Sequence, residues 1–250
     1  MRPKSDKEIE AMREGGQLLA TVLDLLERKI TPGISGQQLA DIAAKETKSL
    51  GGQPSFLMHE DFPHVMCLSV NDELVHGVPS AKKIIKEGDV VGLDFGVIYK
   101  GLITDSARTV FVGQDPPPDI KRLLGGTKKA LEAGIDAVAG DGTRVGDIAQ
   151  AVQKVLDAHK LGVIRDLVGH GVGDKVHESP NIPNYGIAGT GPVLSTGMTI
   201  CIEPMATLGD WQIEIAKDGW TVVTADGSTA AHFEHTIAVT DKGAEILTTT

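Results

Sequence analysis

Four acidic residues lie where acids are rare. Asp94 and Asp105 interrupt two apolar, β-branched runs, Val90 to Ile98 and Leu102 to Val112. Glu203 and Glu234 interrupt two more, in MTICIEP (Met198 to Pro204) and FEHTIAV (Phe233 to Val239). Aspartate is depleted from strands, and a carboxylate is seldom buried without a partner. Taken singly, each glutamate reads as a strand-end or surface residue. Taken together, two acids in each half of the chain require a shared compensation, because an unpaired buried charge costs several kcal/mol. One answer is a salt bridge from Arg108 or Lys100 to the aspartates. The other is a divalent metal. His170, in VGHGVGDKVHESP (Val168 to Pro180), adds a nitrogen ligand between two glycines, where backbone can approach closely. His177 follows seven residues later, a spacing unlike the compact HExxH zinc motif, so spacing by itself says little. With His170 the four carboxylates make five oxygen and nitrogen ligands, and no cysteine is required. Two divalent cations would neutralise four carboxylates, and a water they shared would be strongly acidified. An oxygen-rich set with one imidazole suits divalent Mn, Fe, Co or Zn better than it suits a structural zinc site.

These side chains need elements to hold them. GDVVGLDFGVIYKGLITDSARTVFVG (Gly88 to Gly113) reads as a β-hairpin, with Gly101 able to supply the positive φ of a tight turn. A turn on Tyr99-Lys100 sets Asp94 directly opposite Asp105. A turn on Lys100-Gly101 sets them one diagonal step apart on the same face. Upstream, Ser5 or Asp6 caps an apolar-faced helix to about Arg28, and Ser35 caps a second to about Leu50. An unusual loop, Pro54 to His64, precedes a strand from Val65 to Val70. Pro116-Pro117-Pro118 punctuates the chain. After it a helix spans Asp119 to Val138, Thr143 caps another to about His159, and strands follow. The order of helix, turn, capped helix, strands and hairpin occurs twice. It predicts a duplicated α+β unit, with halves at about 5–115 and 119–240 of one catalytic domain, 1–250, and sheets joined edge to edge or face to face.

Composition excludes several classes. The chain has 250 residues and a net charge of −10, which argues against direct nucleic-acid binding. No apolar run approaches the roughly 20 residues that span a bilayer. The N-terminus MRPKSDKEIEAM lacks the apolar stretch of a secretory signal. Two cysteines, Cys67 and Cys201, form neither a disulfide framework nor a zinc knuckle, which fits the cytoplasm.

The motifs resemble a known family. CLSVNDELVHGVP (Cys67 to Pro79), the aspartate hairpin, GHGVGDKVHESPNIPNYG (Gly169 to Gly186), CIEPM (Cys201 to Met205) and DGWTVVTADGSTAAHFEHTIAVT (Asp218 to Thr240) are similar to the type I methionine aminopeptidases, and the likeness runs from about Ser5 to Thr240. The resemblance implies the pita-bread fold, in which two pseudo-symmetric αββ halves form a curved antiparallel sheet with helices outside. It implies two divalent metal ions on Asp94, Asp105, His170, Glu203 and Glu234. Asp105 and Glu234 would bridge the metals, Asp94 would chelate one, and His170 and Glu203 would hold the other. Glu203 would pass a proton from the bridging water to the leaving amine. His76 would contact the peptide nitrogen beyond the scissile bond. His177 would hydrogen-bond the carbonyl oxygen as it gains charge.

The implied reaction is removal of methionine from the N-termini of nascent polypeptides and peptides. The first side chain would enter an apolar pocket of Phe62, Cys67 and Trp220, with Phe56 as a further wall. The pocket departs from the family at His59, where a tyrosine is usual, at Val176, usually aromatic, and at Glu60. Those changes bear on how strictly methionine is selected. A monomer is expected, with no membrane partner. The ribosome exit region is a candidate partner to which the acidic surface offers no electrostatic attraction. Three rivals share the scaffold: an aminopeptidase of broader specificity, a proline-specific one, and a non-catalytic peptide-binding relative, the last normally marked by substituted ligands.

Overall fold

The computed structural model describes residues 1–58 and 62–250. Two helices open the chain, α1 (Asp6–Lys29) and α2 (Gly36–Ser49). Each begins with a capping box. Ser5 and Glu8 satisfy the first, Ser35 and Gln38 the second. Two short strands, β1 (Gln53–Pro54) and β2 (Cys67–Val70), flank the 3-10 turn Phe56–Met58, and β3 (Glu73–Val75) follows. The long hairpin is β4 (Val90–Tyr99) and β5 (Leu102–Phe111). Next come α3 (Pro118–Asp136) and α4 (Val145–Ala158). The remaining strands are β6 (Gly162–Val163), β7 (Gly169–Gly171), β8 (Glu178–Ile182), β9 (Thr199–Ile202), β10 (Met205–Thr207), β11 (Ile213–Ile215), β12 (Val222–Thr224), β13 (Ala230–His232), β14 (Glu234–Thr240) and β15 (Gly243–Ile246).

The expected α+β class and helix-backed antiparallel sheet are what the chain forms. Among the described residues, one sheet of nine strands runs β1-β4-β5-β14-β9-β7-β8, with β2 also on β4 and β15 on β14. The halves meet edge to edge, where Glu234 and His235 of β14 pair with Ala107 and Ser106 of β5. They differ in one respect. The first half's central strands are a direct hairpin. In the second half β9 and β14 pair antiparallel, but the chain makes an excursion through β10 to β13 between them.

Period-two alternation assigns the faces. Leu93, Phe95 and Val97 of β4 pack with Leu19, Leu23 and Leu26 of α1 and Leu39 of α2. Ile200 and Ile202 of β9 and Ile237 and Val239 of β14 pack with Leu123, Leu131, Ile148 and Val152 of α3 and α4. The alternation puts Asp94, Glu203 and Glu234 on the opposite face from these packed residues, a face on which Cys201 and Ala238 meet Ala11 and Met12 of α1. A strand apolar on its helix side can thus carry an acid on the other.

One expected cap differs. The cap of α4 is Arg144, whose N–H is accepted by Asp147 at 2.8 Å. Thr143 instead closes the preceding turn, accepting the Ala139 N–H and donating to the Gly140 carbonyl, so its hydroxyl is already engaged.

Candidate metal centre and substrate pocket

The hairpin turns on Lys100-Gly101, both at positive φ (50° and 82°). This is the diagonal register, with Asp94 opposite Ala107 and Gly96 opposite Asp105. Ala107 is also opposite Glu234 on its other side. A small residue is therefore flanked by two carboxylates, and a third lies two positions along the same strand. One ligand atom from each of Asp94, Asp105 and Glu234 falls within a 4.8 Å group, and so does one from each of His170, Cys201 and Glu234. Glu234 belongs to both groups.

The salt-bridge answer to the aspartates does not hold. Arg108 pairs with Asp24, and with Glu27 at 3.7 Å, while Lys100 pairs with Glu14. Both cations serve the α1 side of the hairpin. Asp105 Oδ1 and Glu234 Oε1 are buried and accept no hydrogen bond from the described residues. Burial, followed by the charges of Asp105 and Glu203, drives the Asp94 carboxyl well above the usual range. Burial pushes Asp105 up to about 7. Burial and then Asp105 push Glu203 up to about 8. Glu234 is driven well up by burial and by Asp105, Glu203 and Asp94. Buried like charges at this spacing, with no Lys or Arg among the described residues paired to them, fit hard or borderline divalent cations.

His170 has the orientation of a ligand. Its Nδ1 lies 3.0 Å from the Gly171 carbonyl, which can only accept, so the proton sits on Nδ1. Its Nε2 then faces Glu234 Oε1 at 3.7 Å. Glycine is required beside it, since a Cβ on Gly169 would stand 2.4 Å from the Cys201 carbonyl oxygen. His76 sits at the end of β3 at a positive φ of 56°. The next residue must be glycine, because a Cβ on Gly77 would stand 2.2 Å from the Leu68 carbonyl oxygen. The His170 and His177 rings meet at 4.3 Å between centroids.

One cavity of about 140 Å³ gathers these groups: Asp94, Asp105, His170, Glu203 and Glu234, with His76 and His177. Its apolar end contains Phe56, Phe62, Cys67 and Trp220, the expected wall, together with Val176. Phe62 stands edge-on to Trp220 at 5.4 Å and to Phe56 at 6.3 Å. His59 and Glu60 lie outside the described residues.

Sequence reasoning assigned no role to Val75, Leu167, Val168 or Met205, which also line the cavity. It also missed three supports. Thr236 Oγ1 accepts the Asp105 N–H at 2.9 Å and donates to the Asp105 carbonyl at 2.7 Å. Cys201 Sγ lies 3.4 Å from Thr236 Oγ1. His232 is fully buried, with Nε2 4.0 Å from Asp94 Oδ2. Each stands two residues from a strand glutamate, so period two around Glu203 and Glu234 would have pointed to them.

The metallopeptidase family M24 model matches residues 10–241. The methionine aminopeptidase of Aquifex aeolicus is 45% identical over 98% of this chain and 97% of its own length. Methionine aminopeptidase 1 of Bacillus subtilis is 42% identical, over 98% of each chain. The crystal structure of the methionine aminopeptidase from Thermotoga maritima superposes with a TM-score of 0.97 at 43% identity, over all of both chains. Prolidase from Pyrococcus furiosus shares the fold with a TM-score of 0.81 at 25% identity, but the match covers 65% of that chain. The chain belongs to metallopeptidase family M24 and, within it, to the methionine aminopeptidases.

Proposed function

We propose that the chain removes N-terminal methionine from peptides and nascent polypeptides at a centre for two divalent metal ions. The observation that carries this reading is the single cavity in which five ligand side chains, with two bare buried carboxylate oxygens, adjoin an apolar pocket. Asp94 would hold one ion, His170 and Glu203 the other, and Asp105 and Glu234 both. The place of Glu234 in both ligand groups supports its shared role. Bound there, the ions would supply Lewis acidity and an acidified water.

The chain's own residues account for the rest. Glu203 takes a proton and delivers it to the leaving amine, acting in turn as general base and general acid. His177 donates to the scissile carbonyl oxygen as charge builds on it. His76 orients the peptide nitrogen beyond the scissile bond. Phe62, Cys67, Trp220, Phe56 and Val176 enclose the first side chain without charge, and a thioether suits such a lining. Cys67 and Cys201 are both free and buried, which supports a reducing cytoplasm. Among the described residues no helix is long and apolar enough to cross a membrane.

The test is hydrolysis by the metal-free protein reloaded separately with Mn, Co, Fe and Zn. The substrates carry Met-Gly, Leu-Gly, Ala-Gly and Ala-Pro N-termini on one common peptide. Release of methionine alone, and only with metal, is the expected result. Release of leucine or alanine as well keeps the mechanism and places a relaxed specificity at Val176 and His59. Preferential cleavage of the Ala-Pro peptide favours the proline-specific rival. Absence of release with every metal refutes the enzyme reading.

A further inference from the structure

His177 stands on the turn 174–178, and the N-terminal arm reaches that turn from 170 residues away in the sequence. The Lys4 side chain has no exposed surface, and its Nζ lies 3.1 Å from Asp174 Oδ2. Its stem lies against Gly173, where a Cβ would stand 2.6 Å from Lys4 Cε. Backbone fixes the arm as well, since the Lys4 N–H donates to the Gly197 carbonyl at 2.7 Å. The turn closes on itself, because Glu178 Oε1 accepts the N–H groups of Asp174 at 2.7 Å and Lys175 at 3.0 Å. Before the turn, the Gly173 carbonyl accepts the Ile103 N–H at 2.8 Å. The residues inside it are Lys175, Val176 and His177, of which the last two line the cavity. A buried lysine is rare and is kept by its anion. Asp174 is 42% exposed and also pairs with the half-exposed Arg2 at 3.0 Å. Lys4 is therefore the fixed end of the contact and the turn is the end it restrains.

We infer that Lys4 is a positioning residue for the reaction: through Asp174 it holds the 174–178 turn so that His177 meets the scissile carbonyl. The inference rests on the role of His177 proposed above. Lys4 touches neither substrate nor metal ligands, so its loss slows the chemical step and leaves metal binding alone. Misplacing a catalytic group by about 1 Å costs roughly 10²-fold, and a loosened turn about tenfold.

The experiment is a double-mutant cycle on the metal-loaded enzyme with a methionyl peptide, comparing K4M, H177A and K4M/H177A. Metal affinity is measured by calorimetry on each variant. K4M should lower kcat about tenfold, with KM within about threefold and metal affinity unchanged. The double variant should equal H177A within about twofold, because a turn that no longer carries the imidazole has nothing left to position. Losses that multiply, or full turnover in K4M beside an impaired H177A, overturn the role of Lys4 and leave His177 standing. Wild-type turnover in H177A overturns the His177 reading and this inference with it. Should K4M not fold, D174N carries the same cycle from the exposed end of the pair, and multiplying losses there overturn the inference equally.

Discussion

Removing the metals should leave a protein that weakens as the pH rises from neutral. In the metal-free state the cluster's carboxyls hold protons that the unfolded chain releases. Glu203 stands at about 8 and Asp105 at about 7, against ordinary values near 4. Between those values the unfolded state binds fewer protons, so unfolding free energy falls with pH. The contribution is complete below about pH 4 and gone above about pH 9. One buried and two half-buried imidazoles act in the opposite direction at the acid end. His64, His232 and His235 are pushed down by burial, to about 3 for His232 and about 4 for His235, so they lose stability as pH falls below about 6.5. At pH 6.5 His232 and His235 are neutral in the folded state but about half charged in the unfolded chain, and their neutralisation by pH 9 offsets the carboxyl fall by about 1 kcal/mol in all. At pH 6.5 Glu203 lies about 1.5 units below its folded value and contributes about 2 kcal/mol, while Asp105 adds just under about 1. Both are lost by pH 9, so that, less the imidazole offset, Glu203 and Asp105 give a fall of about 2 kcal/mol, to which the Asp94 and Glu234 carboxyls, also driven up, add. The buried Cys67 and Cys201 thiols, driven up mainly by burial, add to the fall near its alkaline end. At this chain length about 2 kcal/mol is a drop in Tm of roughly 4–8 °C. Urea unfolding of the chelator-treated protein at pH 6.5 and 9 measures it. Metal-loaded protein should lack the fall, and metal binding should release protons and tighten with pH. Equal stability of the metal-free protein at both pH values would mean that the carboxyls are not forced into contention, and the case for cations drawn from them would fail.

Two further variants separate chemistry from scaffold. Glu203→Gln should leave the circular dichroism spectrum and unfolding midpoint nearly unchanged and remove nearly all turnover; wild-type-like turnover would exclude Glu203 as the proton carrier. Thr236→Val should cost about 2–3 kcal/mol in urea unfolding and weaken metal binding, because it strands the Asp105 N–H and carbonyl in the interior; calorimetric metal titration at wild-type affinity would show that those bonds do not hold Asp105.

What the sequence disclosed and what it hid divide along a physical line. Asp94, Asp105, Glu203 and Glu234 were legible because each contradicts its own strand, and contradiction of local preference is visible without a fold. The hairpin register was left between two turns, yet residue types contain the choice. A turn on Tyr99-Lys100 needs positive φ at an aromatic residue, whereas Lys100-Gly101 gives one of the two positions to glycine. Thr143 looked like a cap because a hydroxyl before a helix usually is one; its engagement with Gly140 depends on a turn that sequence does not resolve. The long-range partners were the least visible. Arg108 lies three residues from Asp105 in sequence but serves Asp24 on α1, and Lys4 finds Asp174, 170 residues further along the chain. Charge alone cannot rank such partners, because every acid attracts every base and only packing decides which pair is desolvated. The two cases then differ in consequence. The Arg108 pair ties a helix to a strand already paired along its length, so its loss is absorbed by the sheet. The Lys4 pair restrains a five-residue turn that carries an imidazole to the site; the sheet holds that turn at its two ends, through Gly173 and Glu178, and Lys4 holds it through Asp174. A buried cation far from the chemistry is therefore the kind of residue whose importance should appear in kcat before it appears in Tm.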